Sequence, residues 1–253
     1  MDDRTIQDIL ALRSKNLTPK QIARKLGLKP AEISAILKDQ GSSFKTSSPR
    51  LSPQAPLYGC WINSDFRRKF VPANQLKPIQ AGQLQPGFPN RTITRFFQKK
   101  SSELGLATVA VARHSTESRL KLGFYLVDYY CLGVKSVMPI RTIEKSSLTE
   151  TLAAIYRLYD FGHHQVSLPE AQALVFGAIE FAERCGFRPH RSFDSAARNM
   201  LGEWDRSIGV ECGYGGQPFY QQGPSESPAR VREILATLEQ TVGAGNFQSL
   251  TLL

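Results

Sequence analysis

The stretch GLATVAVARHSTESRLKLGFYLVDYYCLGVKSV, residues 105–137, decides the fold of the larger part of this chain. Its two arms, 105–114 and 120–137, are rich in valine, tyrosine and phenylalanine, which favour β-strands. The segment STESR between them is short and polar, as expected of a turn. The stretch therefore predicts a long β-hairpin, and LYGCWIN at 57–63 predicts a further strand beside it.

The second arm of this hairpin contains three polar or reactive side chains, Asp128, Cys131 and Lys135. On a regular strand successive side chains point to opposite faces, so Asp128 lies on one face and Cys131 and Lys135 on the other, unless Gly133 marks a bulge. We therefore expect a central strand with one isolated acid, in place of a reactive trio.

Capping signals predict the helices that follow. Capping boxes at Ser147–Glu150 and Ser167–Glu170 each open a helix, and the second helix has a wide apolar face typical of a central core helix. Further helices are predicted in 193–205 and 228–242, with a second hairpin in 210–224 that turns at two glycines. The predicted order is β-β-α-α-α-β-β-α, an α+β domain with antiparallel strands over residues 57–253.

Three phrases of this domain carry a resemblance: LVDYYCLGVK, GAIEFAERCGFRPH and GYGGQPFYQQGP. Residues 105–224 resemble an uncharacterised bacterial protein family whose sequences share an LVD-x-x-CLGVK run and a GAxEFAxxxGFxPH segment. The resemblance implies a shared fold and lends no activity.

The candidate catalytic residues of the domain are Asp128, His190 and Asp194. A carboxylate and a lysine near a second acid could form a metal-dependent nuclease site, but a D-x(n)-E-x-K signature is missing. The pair His163-His164 with His190 has no recognisable ligand spacing, so no metal and no cofactor are predicted. Structural roles are favoured for all of these groups, and whether the chain is an enzyme is left open.

The net charge of +10 is unevenly distributed. The first 110 residues hold 18 lysines and arginines against 7 acids, whereas the remainder holds 14 against 15. Such an excess favours a polyanionic partner for the N-terminal part, most commonly nucleic acid. Four scattered cysteines and the absence of a signal peptide predict a cytoplasmic protein, and no apolar run is long enough to span a membrane.

The segment LTPKQIARKLGLKPAEISAIL, residues 17–37, contains two short helical patterns joined by a glycine. Thr18 is a good N-cap, Gly27 a good helix terminator, and Pro30 a good first residue of the next helix. The segment resembles the helix-turn-helix of sigma-factor-like and resolvase-like bacterial DNA-binding domains, and we assign it to a domain over residues 1–39. A helical hairpin for protein contact or dimerisation is the alternative.

The resemblance implies that 30–38 is the recognition helix and that basic residues around the first helix contact phosphates. The reading face has no Arg, Asn or Gln, so we expect binding dominated by the DNA backbone. The predicted DNA-binding residues are Lys20, Arg24, Lys25, Lys29, Ala31, Glu32, Ser34, Ala35 and Lys38.

Residues 40–56 are rich in Ser, Pro and Gln and predict a flexible linker. Beyond the linker, cations alternate with phenylalanines in two short segments, a mixture found in proteins that bind single-stranded nucleic acid. For Phe96 and Phe97 the favoured alternative is a role as core anchors of an amphipathic helix whose solvated side carries the cations, which can contribute to binding in either case. The predicted secondary contacts are Arg67, Arg68, Lys69, Arg95, Lys99 and Lys100.

Together these features favour a cytoplasmic bacterial DNA-binding protein, of regulatory type. Its C-terminal domain would sense a signal, form homo-oligomers or bind a partner, and dimerisation would raise the affinity of a small DNA-binding module. The alternatives are a metal-dependent nucleic-acid-processing enzyme and an RNA- or ribosome-associated interaction protein that uses residues 65–100.

Overall fold

The computed structural model describes residues 19–29, 54–66, 68–76 and 105–251. The chain divides into two compact units, Met1–Pro53 and Gln54–Leu253. In the first unit the described part is a single helix, α1 (Pro19–Leu26), followed by a short turn.

In its described residues the second unit contains ten strands and four α-helices. Its strands are β1 (Leu57–Asn63), β2 (Phe70–Pro72), β3 (Leu106–His114), β4 (Arg119–Asp128), β5 (Gly133–Val137), β6 (Arg141–Glu144), β7 (His163–Val166), β8 (Ile208–Val210), β9 (Phe219–Gln221) and β10 (Gln248–Leu250). Its helices are α2 (Leu148–Tyr156), α3 (Leu168–Arg184), α4 (Ser195–Leu201) and α5 (Pro228–Val242).

A six-stranded antiparallel sheet forms the frame of this unit. Its strands run in the order β5-β4-β3-β1-β7, and β6 pairs with the first half of β4. The β3–β4 hairpin is paired from Leu106 opposite Asp128 to His114 opposite Leu120, and β1 pairs with β3. The predicted hairpin, the added strand and the α+β class are therefore confirmed.

The prediction of one strand over 120–137 is wrong. The chain leaves β4 at Asp128, turns through residues 129–132, and returns as β5 antiparallel to β4, with Gly133 opposite Asp128. Gly133 has φ +70°, a left-handed conformation that glycine adopts most easily. Because the chain reverses here, the assignment of Asp128 and Lys135 by strand alternation does not apply.

Three further expectations need correction. The histidine pair predicted in a loop lies in strand β7, paired with β1. Helix α2 forms, but its N-cap Ser147 makes no side-chain capping bond. The glycine turn of 210–224 forms between Tyr214 and Gln217, but β8 pairs with β2 and β9 pairs in parallel with β10, so the two arms do not make a regular hairpin.

Helix α3 is the centre of the main core, as predicted. It begins with the complete Ser167–Glu170 capping box and packs on the face of the sheet that carries Ile62, Val109 and Val127. The opposite face, with Leu120, Leu122 and Phe124, is covered in part by the shorter helix α2. Both faces of the sheet therefore contribute to a core, and the face under α3 buries the larger set.

Candidate functional site

Helix α1 has one buried and one basic face. Ile22 and Ala23 are buried, whereas Arg24 and Lys25 are exposed in its last turn. Gly27 follows with φ +68°, and the backbone N–H of Leu28 donates to the carbonyl of Ala23 at 3.0 Å. This is the hydrogen bond of a Schellman motif, which ends a helix and turns the chain sharply.

The charges around α1 are all positive in the part of this unit that the structure describes. Arg24, Lys25 and Lys29 are exposed, and residues 19–29 contain no acid. A surface of this kind attracts phosphates without specifying bases. The side chain of Lys20 and the predicted reading residues Ala31, Glu32, Ser34, Ala35 and Lys38 lie outside the described residues.

Among the predicted secondary contacts, Arg68 is engaged inside the second unit. Its Nη2 donates to the carbonyl of Gly213 at 2.8 Å, Nη1 lies 3.6 Å from Glu211, and the guanidinium lies over the ring of Tyr130 at 5.5 Å. Arg68 therefore ties the 211–213 segment to the turn after β4. Lys69 is exposed, and Arg67, Arg95, Lys99 and Lys100 lie outside the described residues.

Asp128 is buried at the end of β4 and holds the following turn. One carboxylate oxygen accepts the backbone N–H groups of Tyr130 at 3.0 Å and Cys131 at 2.9 Å. Burial raises the pKa of the Asp128 carboxyl to about 6, while the positive charge of Lys135 and the backbone donors limit that rise. This geometry indicates a structural role, in which Asp128 stabilises the turn at residues 129–132.

The other two catalytic candidates also have local partners. Asp194 is the N-cap of α4 and accepts the N–H of Ala197 at 2.9 Å. The ring of His190 lies 2.8 Å from the Ser192 hydroxyl. Among the described residues, which include all three candidates, no hydrogen bond or ion pair joins Asp128, His190 and Asp194 to one another.

A polar cluster that sequence reasoning missed lies beside Asp128. Glu226 accepts Lys135 Nζ at 3.0 Å, the Tyr220 hydroxyl at 2.7 Å and the Gly223 N–H at 3.0 Å. Burial alone would raise the pKa of Glu226, but these donors and the lysine charge outweigh it and lower the pKa. Lys135 and Glu226 are separated by 91 residues, so no local sequence pattern could predict that they pair.

The histidine pair lies in β7, the last strand in the sheet order, beside β1. The ring of His163 stacks on Tyr156 at 4.8 Å, and the Tyr156 hydroxyl donates to the carbonyls of Trp61 and Thr108. Burial and the neighbouring His164 lower the pKa of His163. Within the described ranges no group of three His, Cys, Asp or Glu side chains is arranged to hold a metal ion.

The four cysteines are free thiols, and all are buried. Burial raises the pKa of Cys60 and Cys212 to about 12 and that of Cys185 to about 11. Burial also raises the pKa of Cys131 strongly, with the charge of Asp128 adding to the effect. Because the thiolate is the reactive form, these groups are suited to packing and unsuited to nucleophilic chemistry.

Comparison with models of known protein families, with characterised proteins and with solved structures finds no match to this chain. None of the helices in the described ranges combines the length and apolar character that crossing a bilayer requires.

Proposed function

We propose that this protein binds duplex DNA through its N-terminal unit, with α1 as the first helix of a helix-turn-helix. The observation that carries the proposal is that α1 has an apolar and a basic face and ends in a tight turn at Gly27. A short helix with an apolar inner face and basic outer residues stops at Gly27 in a Schellman motif, and the turn between the two helices of such a module often contains glycine. The second helix, predicted at 30–38, would follow this turn.

The charge distribution supports a contact dominated by phosphates. Arg24, Lys25 and Lys29 are exposed around α1, and the excess of +11 lies in the first 110 residues. Contacts of this type release counterions, so the affinity falls steeply as salt increases. Binding should therefore be strong at low salt and weakly dependent on sequence.

In this proposal the second unit is a folded partner that positions or pairs the DNA-binding module. Its candidate acids serve the backbone: Asp128 holds a turn and Asp194 caps a helix. The alternative of a metal-dependent nucleic-acid-processing enzyme gains no support from this arrangement.

The proposal is tested by the fluorescence anisotropy of a labelled 25-base-pair duplex, titrated with protein at several salt concentrations (a length of about two helical turns). The full chain is compared with a chain that begins at Gln54, where the second compact unit starts. We expect the shorter chain to lose most of the affinity and most of the salt dependence. Full retention of affinity by the shorter chain would refute the proposal.

A further inference from the structure

One part of the sheet surface carries aromatic rings that helix α2 leaves partly exposed. Tyr58 and Trp61 lie on the sheet face that α2 covers, but both side chains are only half-buried. The indole of Trp61 lies over its own strand at Gly59, where a Cβ atom would come within 2.8 Å of the ring. The residues opposite Gly59 and Trp61 on β3 are alanines, so nothing large rises beside the indole on that side.

The rings of Tyr58, Trp61 and His114 are neighbours near the end of the sheet where the β3–β4 hairpin turns. The ring centroid of Tyr58 is 6.5 Å from that of Trp61 and 5.3 Å from that of His114. The ammonium of Lys145 lies 5.2 Å from the centre of the Tyr58 ring. A cation and two large aromatic side chains are thus within reach of one flexible ligand.

The charge at this end of the sheet is positive. On the α2 face the exposed cations are Arg141, which lies opposite Leu122, and Lys145, which follows β6. Arg119, Lys121 and Glu144 alternate to the other face. Arg119 is paired with Glu144 at 3.0 Å. Among the residues that the structure describes, neither Arg141 nor Lys145 forms an ion pair.

We infer that the surface formed by Tyr58, Trp61, His114 and Lys145, here called the Trp61 surface, binds single-stranded nucleic acid. Unpaired bases stack on the rings of Trp61 and Tyr58, and Lys145 and Arg141 pair with the phosphates. Every base offers a π-face, so this recognition requires no particular sequence. In a duplex the base faces are already stacked on one another, so a duplex does not fit this mode.

The inference is independent of the proposed function. It concerns the second unit and a single strand, whereas the proposed function concerns α1 and a duplex. It also differs from the secondary contacts expected at residues 67–100, because Arg68 is engaged with Gly213 and Glu211.

The indole itself supplies the test. The chain has two tryptophans, and Trp204 stacks on Phe176 elsewhere in the unit, so a full-length Trp204→Phe variant leaves Trp61 as the reporter. This variant is titrated with a 20-base oligo-dT at low salt, where stacking of thymine on the indole quenches its fluorescence. We expect saturable quenching, and weaker quenching by the same length of duplex.

Substitutions then locate the site in the full chain. Because stacking on one aromatic side chain contributes about 1–3 kcal/mol, Trp61→Leu should weaken oligo-dT binding by about 5- to 150-fold, whereas Trp61→Phe should retain most of the affinity. Lys145→Gln should weaken binding more than Arg232→Gln, an exposed arginine on α5 that serves as the charge-matched control.

The result is judged with folding checked by circular dichroism. If Trp61→Leu does not fold, the quenching in the Trp204→Phe variant and the Lys145→Gln comparison still decide. Absence of quenching, or equal affinity for heparin, a polyanion without bases, would overturn the inference. If Arg24→Gln/Lys25→Gln loses duplex binding but oligo-dT still quenches Trp61, both proposals are supported. If duplex binding depends on Arg24 and Lys25 but oligo-dT does not quench Trp61, the Trp61 surface is overturned and the proposed function stands.

Discussion

The backbone N–H of Cys131 donates to the carboxylate of Asp128 at 2.9 Å, across the turn that joins β4 to β5. The same turn is tied to three other segments, because Tyr129 donates to Gly105, Gly213 donates to Tyr129, and Phe219 donates to Tyr130. Asp128, which lies in an apolar, aromatic-rich stretch, thus stabilises the turn at which these segments meet. Its burial makes the stability of the junction dependent on pH.

We expect Asp128→Asn to remove this pH dependence. The folded pKa of about 6 lies above the ordinary 3.8, so the folded state favours the protonated acid. The stabilisation that protonation provides is therefore complete below about pH 4 and is lost as the pH rises through 6. A rise of two pKa units corresponds to about 3 kcal/mol.

Urea unfolding of both proteins between pH 4 and pH 8 measures this effect. The free energy of unfolding of the wild type, relative to Asp128→Asn, should fall by about 3 kcal/mol between pH 4 and pH 7 and then stay constant. Asparagine keeps an acceptor for the N–H groups of Tyr130 and Cys131, so the variant should fold. Parallel stability curves would show that Asp128 does not titrate in this window.

Gly133 should be intolerant of a side chain for two reasons. It has φ +70°, and an added Cβ would lie 2.9 Å from the Cβ of Ala182 on α3. Gly162 is a matched control, because it has φ +65° but open space around it. We expect Gly133→Ala to cost about 1–3 kcal/mol more than Gly162→Ala in chemical denaturation, since the strain in φ is common to both and the overpacking is not. Equal costs would mean that the β5–α3 contact is loose.

The Lys135–Glu226 pair should contribute measurably to stability. Both side chains are less than a third exposed and lie 3.0 Å apart. A double-mutant cycle with alanine at each position should give a coupling energy of about 1–3 kcal/mol, because the bond is charged and shielded from water. The control is the pair Arg230–Glu233, which is at least half exposed and should give about 0.5 kcal/mol or less.

The pH dependence of this pair should have the opposite sign to that of Asp128. The pKa of Glu226 is lowered in the folded state, so its contribution is complete above the ordinary value of 4.5 and is lost as the pH falls below it. The advantage of the wild type over Glu226→Gln should accordingly shrink only in acid. An advantage that grows on acidification would contradict the geometry of this cluster.

The features that were predictable from the sequence are those encoded by neighbouring residues. The Ser167–Glu170 capping box and the β3–β4 hairpin with its polar turn each depend on a short segment, and both were predicted. The turn at 129–132 was missed because it is buried among aromatic rings, so it is built from Tyr, Cys and Leu and lacks the polar residues that mark an exposed turn.

Long-range partners set the limit for the candidate sites. Arg24 and Lys25, which the resemblance predicts to contact phosphates, are exposed on α1. It could not show that Arg68 is held by Gly213, 145 residues away, or that Lys135 meets Glu226. Such pairings follow from the order of strands in the sheet and from loop packing, which leave no periodic trace.

The basic face of α1 gives the most direct prediction for DNA binding. Neutralising Arg24 and Lys25 together, as Arg24→Gln/Lys25→Gln, should leave Ile22, Ala23 and the Gly27 turn intact, because both side chains are exposed and contribute nothing to the buried face. Each phosphate contact that is lost should reduce the slope of log affinity against log salt by about 0.9. We therefore expect the duplex affinity to fall at low salt and the slope to decrease by about 2, measured by anisotropy on one duplex and on an unrelated duplex of equal length. The loss should be similar for both sequences, since phosphates carry no base identity.

Arg232→Gln removes an exposed cation from α5 and should leave the slope unchanged. If the double variant and the control change the slope equally, DNA binding reflects the total charge of the chain and α1 is not its docking helix.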